Sequence, residues 1–337
     1  MAVRAGTSET YDNSVIREDL QEAYSMISPE ECPFQQAIGT RDVDNVLFDW
    51  PVVNLAAPDG ANRVAEGESD VPNDDATLAL RFSNYTQISD KVAEVSHTAQ
   101  AVNAAAENIQ RMAKQVVLKM KEMKRDKEVM LLSNVPALPA SSGVARQTAG
   151  LPAWVATNTN RGATGTDPTL SGGTEGYPNA GAGDGTARPL AEDDLNTVIE
   201  LCWNNGAEPT IIMCNSGNKR RISNTFVGNS TRYKDAIDKT VVAAIDFYDS
   251  DFGELTVVPN RFLPASDAVP PALTGTSYNV FVLDPEYARV GYLDQVQQKP
   301  LAETGHSIRT LVWCEYGLQV DNEAAHGCIA DTDNTPG

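Results

Sequence analysis

Three histidines, His97, His306 and His326, are the only imidazoles in this chain, so a Ser or Cys nucleophile would have few bases to choose from. None of the three lies in a recognisable catalytic signature. His326-Gly327-Cys328, with Cys314 upstream, comes nearest to a metal-ligand set, but no CxxC or HxxxH completes it. Carboxylate pairs such as Glu30-Glu31 and Asp193-Asp194 are unavoidable among 46 acidic residues and say nothing about acid–base catalysis. The stretch holding Asp59-Gly60, Glu66-Gly67, Asp70, Pro72, Asp74 and Asp75 offers oxygen ligands of the kind calcium takes, without the spacing of an EF-hand. Ser171-Gly172-Gly173 and Gly181-Ala182-Gly183-Asp184-Gly185 contain neither GxxxxGK[ST] nor GxGxxG, and no strand leads into them, so a phosphate cradle is not expected. The expectation is a chain with no catalytic residue, no cofactor and no metal, whose work is done by surfaces.

Composition points the same way. The 337 residues are 41% hydrophobic, ample for a core. The net charge of −20 argues against a free-standing nucleic-acid binder, which needs a basic footprint. The opening MAVRAGTSETYDNS lacks the basic and apolar regions of a signal peptide, and no run approaches 18 apolar residues, so synthesis in the cytoplasm and no membrane association are expected. Five scattered cysteines, Cys32, Cys202, Cys214, Cys314 and Cys328, mostly among apolar neighbours, fit buried reduced thiols.

The elements that must carry such surfaces start with Asn103 to Asn134. Ile109, Met112, Ala113, Val116, Met120, Met123, Met130 and Leu131 recur at three- and four-residue steps, and Lys114, Lys119, Lys121, Lys124 and Arg125 fill the gaps. That is a basic helix with one apolar stripe, roughly 30 residues and about 45 Å long. Glu122, Asp126 and Glu128 interrupt the positive charge and read as part of a solvated face. Upstream, Ile16, Leu20, Tyr24 and Ile27 space a short amphipathic helix; Ser28-Pro29-Glu30-Glu31 is read as the N-cap and first turn of a second, ending at Gly39. Neither is stable without packing on something larger.

Asn45 to Asn54 and Thr77 to Val95 read as strands flanking the acidic tip, a long two-stranded excursion with Pro51 marking an edge. A hairpin of that kind is marginal alone and is expected to lie across a neighbour. Val135 to Pro189, rich in Gly, Ala, Thr, Pro and Asn, has no periodicity and reads as an exposed surface loop. From Leu190 the pattern is helix, the strand Thr210 to Cys214, and a helix opened by Asn215-Ser216. Thr240 to Tyr248, Glu254 to Val258 and Tyr278 to Leu283 follow as strands, and Ser307 to Glu315 with Gly317 to Asn322 as a final pair, before a fading tail.

Taken in order, Ser28-Pro-Glu-Glu-Cys-Pro-Phe34, the hairpin, Asn84-Tyr-Thr-Gln-Ile88, Val95-Ser-His-Thr-Ala99 and the basic helix resemble the major capsid proteins of tailed bacteriophages with the Hong Kong 97-like coat fold. Leu301-Ala-Glu-Thr-Gly305 and Glu315-Tyr-Gly-Leu-Gln-Val-Asp-Asn-Glu-Ala-Ala325 complete the resemblance, which spans nearly the whole chain outside the glycine-rich segment. It implies an α+β fold with an N-terminal arm (1–40), an extended loop (41–94), a spine-helix region of a peripheral domain (95–134), a Gly-rich insertion (135–189), an axial domain (190–271) and C-terminal strands completing both domains (272–337).

By the same resemblance the protein would be the head protein of a double-stranded DNA phage. It would self-assemble through hexameric and pentameric capsomers into an icosahedral virion shell, enclosing DNA without sequence-specific contacts, with scaffolding, portal and decoration proteins as further partners. Candidate assembly-interface residues are Phe34 on the arm, Phe48, Trp50, Phe82 and Tyr85 on the hairpin, and Met120, Met123, Lys119 and Lys124 on the spine. Some members of the fold harden by a bond from an extended-loop lysine. Here the first lysine is Lys91, at the base of the hairpin, so a shell without that mesh is expected, its acidic tip pairing with Lys119 or Lys124 of a neighbour. Two alternatives stand: an encapsulin-like nanocompartment, and a carbohydrate-active surface protein using Trp50, Trp154 and Tyr177 as sugar platforms.

Overall fold

The computed structural model describes residues 28–334 apart from 54, 56, 62, 64–65, 68–75, 77, 103–110, 227–245, 269–270 and 304. The first elements are α1 (Pro33–Ala37), β1 (Gly39–Asp42), β2 (Leu47–Val52), β3 (Leu80–Tyr85), β4 (Gln87–Ser96), α2 (His97–Ala101) and α3 (Arg111–Leu131). Next come β5 (Thr159–Asn160), β6 (Thr169–Leu170), β7 (Pro178–Ala180), α4 (Glu192–Asn204), β8 (Ile211–Cys214), α5 (Ser216–Arg221), β9 (Phe247–Ser250) and β10 (Gly253–Pro259). The chain ends with β11 (Tyr278–Leu283), β12 (Ala288–Pro300), β13 (Ser307–Val320) and β14 (Gly327–Thr332).

Helix α3 is built from good helix formers with no Gly or Pro, and buries Val116, Met123, Lys127 and Leu131 along one stripe. That stripe packs on a four-stranded sheet of order β1-β12-β13-β4, where the Met123 sulfur meets the Cys314 thiol at 3.2 Å. A six-stranded sheet, β5-β14-β11-β8-β10-β9, forms the second body. It takes α4 on its face through Leu195, Val198, Ile199 and Cys202, and Gly206, at φ 85°, ends the turn after that helix. The α+β class is therefore met, with both sheets drawing strands from the last third of the chain.

What joins the two bodies is a carboxylate on α3. Glu128 is fully buried, and its two oxygens accept the backbone N–H groups of Phe34 and Gln35 at 2.8 and 3.1 Å and the Gln35 amide at 2.9 Å. Asn260, just past β10, donates to it at 2.8 Å. Helix α1 thus begins at Pro33 with Cys32 at the cap position, and its orphan donors are satisfied from 94 residues away instead of by a local side chain. The expected start at Ser28-Pro29 is corrected for that reason. The neighbouring Lys127 is buried too, donating to the Tyr292 hydroxyl at 2.9 Å and standing over the rings of Tyr292 and Tyr316.

Four further expectations change. The run from Thr77 to Val95 is two strands, because Thr86 leaves the β2–β3 ribbon to bond the Glu315 carboxylate at 2.6 Å, and β4 then joins the other sheet. Ser307 to Val320 is one unbroken strand: a Cβ at Gly317 would stand 2.6 Å from the Phe48 ring, so this glycine serves close approach, not a turn. The polar strand β12 and the buried strand β14 lay outside the sequence reading, the latter inside the supposed tail. Finally, Val135 to Pro189 is a surface loop only in part. Ala149 to Val155 are buried, Asn134 brackets the backbone of Ala182 at 2.6 and 2.8 Å, and the buried Asp331 carboxylate accepts the amides of Gly162 and Gly185, each at 2.9 Å. The helix read at Ile16 to Ile27 and the stretch Asn103 to Gln110 lie outside the described residues.

All five cysteines are free and buried, and burial pushes Cys202, Cys214 and Cys328 up to about 12 and Cys32 to about 11, so they stay protonated and inert. His326 lies wholly inside, its Nε2 3.4 Å from the Tyr287 carbonyl, and burial lowers its pKa to about 4. Between the ordinary value of 6.5 and about 4 the unfolded chain binds a proton that the folded one refuses, so this contribution is present above pH 6.5 and lost as pH falls to about 4. The loss is worth at most about 3 kcal/mol. Urea unfolding of His326→Gln should accordingly show a shallower fall in stability than the parent between pH 7 and 4.5; parallel curves would contradict it. Glu128→Ala, which strands four donors, should lower the unfolding free energy by about 3 kcal/mol or more, and Glu128→Gln by less. Wild-type stability in the alanine variant would show that the clasp carries little.

Candidate assembly interface

The β2–β3 ribbon is rooted where three stretches distant in sequence meet. Asn84 is completely buried: its amide donates to the Leu318 carbonyl at 2.6 Å and the Thr148 hydroxyl at 3.1 Å, and its oxygen accepts the amides of Tyr85 and Ala149. Beside it the Glu315 carboxylate takes the Thr86 hydroxyl and an ion pair from Arg146, whose Nε also donates to the Thr86 carbonyl at 3.0 Å. Asn84, Tyr85, Thr86, Glu315 and Leu318 belong to the Asn84–Ile88 and Glu315–Ala325 motifs, and Arg146, Thr148 and Ala149 to the glycine-rich segment. Asn84-Tyr85-Thr86 matches the N-glycosylation pattern Asn-x-Thr, but the buried, fully bonded Asn84 amide is closed to any glycan.

Above this root the aromatic candidates face inward. Phe48 stacks on Trp50 with ring centres 5.7 Å apart, Trp50 meets Trp154 of the glycine-rich segment at 5.3 Å, and Phe82 stands edge-on to Trp154 at 6.3 Å. Tyr85 pairs edge-on with Tyr177 at 5.3 Å, and burial with that neighbour raises its pKa. Trp50 and Trp154 are 4% and 3% exposed, which rules out their use as sugar platforms and makes Trp50 a core residue of the single subunit. Phe34, Phe48 and Met123 are likewise covered within one chain, while Phe82, Tyr85 and Met120 are half-buried against that core. The expectation that the hairpin cannot bury its apolar residues internally is corrected for its base.

Apolar exposure begins beyond the paired strands. Val53, Leu55 and Leu78 are 57, 89 and 77% exposed, at the two edges where the ribbon enters the tip. Most of the tip lies outside the described residues. Lys119 is held by Glu122 one turn away at 2.8 Å, an internal pair that competes with any tip carboxylate. Lys124 is half-buried, and its carbonyl accepts the Gln35 amide at 2.9 Å. Lys91 pairs with Asp126 of α3 at 2.6 Å, on the sheet and away from the loop. Sequence reasoning missed Glu128, Asn84 and Glu315; the only signal for them was their place in or beside short motifs whose partners are more than 60 residues away.

Among the described residues no group of three or more His, Cys, Asp or Glu is placed to hold a metal ion, and no helix is long and apolar enough to cross a membrane. His97 and His306 face each other at 5.0 Å beside Glu303, at the far end of the four-stranded sheet from His326.

Known proteins agree with this architecture. Mycobacterium phage Adephagia gives a TM-score of 0.60 at 13% identity over 99% of this chain and all of that one. The capsid of a native GTA particle gives 0.58 at 12% over 96 and 97%, and the holo-SrpI encapsulin of Synechococcus elongatus 0.56 at 12% over 99 and 98%. The fold is thus the Hong Kong 97-like coat fold that phage capsids and encapsulins share. The major capsid protein of Escherichia phage Phieco32 is 32% identical over 124 residues, which spans 37% of this chain and about a third, 35%, of that relative's length. The model of one family matches from residue 5 to residue 333, nearly end to end, and the chain belongs to that family, the SU10 major capsid proteins.

Proposed function

We propose that the protein is the structural subunit of an icosahedral phage head, assembling through hexameric and pentameric capsomers around double-stranded DNA, with no catalytic cycle. The observation that carries this reading is the family match over residues 5–333. The geometry supports it: a rigidly rooted ribbon ends in exposed Val53, Leu55 and Leu78, apolar surface that a neighbouring subunit would cover. Enclosing DNA needs no base contacts, and a chain of net charge −20 is suited to a wall that DNA does not wet. Synthesis in the bacterial host cytoplasm, and scaffolding, portal and decoration proteins as partners, belong to the same reading. An encapsulin-like shell has the coat fold in its favour, but the family and the Phieco32 relative are phage capsid proteins.

Electron microscopy of the expressed protein should show closed shells, alone or with a scaffolding partner; small oligomers under every condition would sink the proposal. A neighbouring cargo gene, in place of portal, terminase and protease genes, would favour the nanocompartment. The shell is further proposed to be held without covalent cross-links, since the first lysine, Lys91, is engaged with Asp126 and arginines are not nucleophiles at neutral pH. Mature particles boiled in denaturing detergent should therefore run as one band near 36.2 kDa, or slightly less if the arm is trimmed. A ladder of covalent oligomers would refute it.

A further inference from the structure

The two edges of the β2–β3 ribbon are closed in different ways. Gly176, between β6 and β7, bridges Phe82 in parallel: its N–H donates to the Arg81 carbonyl at 2.9 Å, and its carbonyl accepts the Ser83 N–H at 3.1 Å. The Arg81 N–H goes to the Glu175 carboxylate at 3.3 Å. Directly opposed residues of an antiparallel ladder either bond each other or both turn outward. Arg81 and Ser83 stand opposite Pro51 and Asp49, so these two turn to the far edge of β2, where Pro51 has no N–H to offer a strand. Proline blunts one edge, and the tip of the glycine-rich hairpin covers the other.

The cover is light. Residues 171–176 border two cavities of about 350 and 390 Å³, the first lined by Asp49, Arg81 and Glu175, the second by Val52, Phe82 and Trp154. The tip is therefore seated on β3 by backbone bonds and one carboxylate, and packing resumes at Tyr177, edge-on to Tyr85 at 5.3 Å. Its conformation requires glycine: Gly176 has a φ of 96°, and a Cβ there would stand 2.3 Å from the Ser171 hydroxyl oxygen.

Beneath the tip the β3 edge is complementary to itself. Turned antiparallel about Phe82, two copies oppose Arg81 to Ser83 and Ser83 to Arg81, so each pair exchanges its backbone bonds and no like charges meet. We infer that residues 171–176 guard a latent strand-addition site: with the tip lifted, the edge at Arg81 and Ser83 takes the same edge of a second copy. The tip wins in the intact subunit because it belongs to the same chain, at an effective concentration on the order of mM. The guard thus keeps the ribbons of free subunits from pairing with each other. This contact is separate from the shell contacts proposed above and is read on soluble protein, whether or not shells form.

Hydrogen exchange over residues 80–85 and sedimentation of the full-length protein test it. Gly176→Pro removes the donor and cannot adopt the φ of 96°. In dilute solution its exchange over these residues should be at least tenfold faster than in the parent, with far-UV circular dichroism unchanged. As its concentration is raised, a species of twice the subunit mass should appear, and protection should return with it. Adding Arg81→Pro, which copies Pro51 without removing a ladder bond to β2, should abolish that species. Gly176→Ala keeps the donor and meets only the strain and the Ser171 contact, so its exchange should fall between parent and proline variant; should the proline variant unfold, it carries the same readings. Parent-like exchange in both Gly176 variants overturns the guard. Faster exchange without pairing at any concentration overturns the strand-addition site, and pairing that survives Arg81→Pro places it on another surface and overturns it as well.

Discussion

The buried carboxylate of Glu128 is the constraint on which the architecture turns. A charge with no access to water must have its oxygens occupied, and the partners that occupy them come from three places: the start of α1, the Gln35 side chain and Asn260 after β10. Helix α1, helix α3 and the second sheet are thereby fixed at one point, because moving any of them away exposes a donor or strands the carboxylate. Lys127, one residue earlier, does the same on the sheet side through Tyr292 and Tyr316. Two adjacent residues of one helix turn, a base and an acid, point to different layers, and α3 is pinned from both.

The same logic recurs at the hairpin root and in the glycine-rich segment. Asn84 uses its whole amide on Leu318, Thr148, Tyr85 and Ala149. Asp331, at φ 59°, accepts Gly162 and Gly185 amides where a side chain on either glycine would collide with backbone. Buried polar side chains that each gather backbone donors from distant loops explain how a chain of short strands and irregular segments keeps a single arrangement. The apolar core fills the space these clasps define.

That division sets how much the sequence could reveal. Periodicity sees faces, so α3, α4 and Tyr278–Leu283 were legible, as were the buried thiols. It does not see partners. Glu128 looked like one more solvated acid because its meaning lies 94 and 132 residues away. Ser307 to Asn322 was divided at Tyr316-Gly317 because the Phe48 ring that requires this glycine sits on another strand. Val135–Pro189 looked loose because backbone bonds to Asn134 and Asp331 leave no hydrophobic period. The hairpin aromatics were read as facing a neighbour, yet Trp50 and Phe82 pack on Trp154 of the same chain, in the segment set aside as a loop.

The rooting of the hairpin also bears on how such a subunit can close a shell. If Phe48, Trp50 and Phe82 were left for a neighbour, the ribbon would be free to swing before assembly and would lose conformational entropy on contact. Packed instead on Trp154, with Asn84 and Glu315 clasped beneath, the ribbon is held in one direction before any neighbour arrives. Among the described residues of the excursion, the large apolar side chains left exposed beyond the paired strands are Val53, Leu55 and Leu78. In any closed symmetric shell one contact is repeated at every equivalent position, so a support that is already rigid in the single subunit lowers the ordering cost at each repeat.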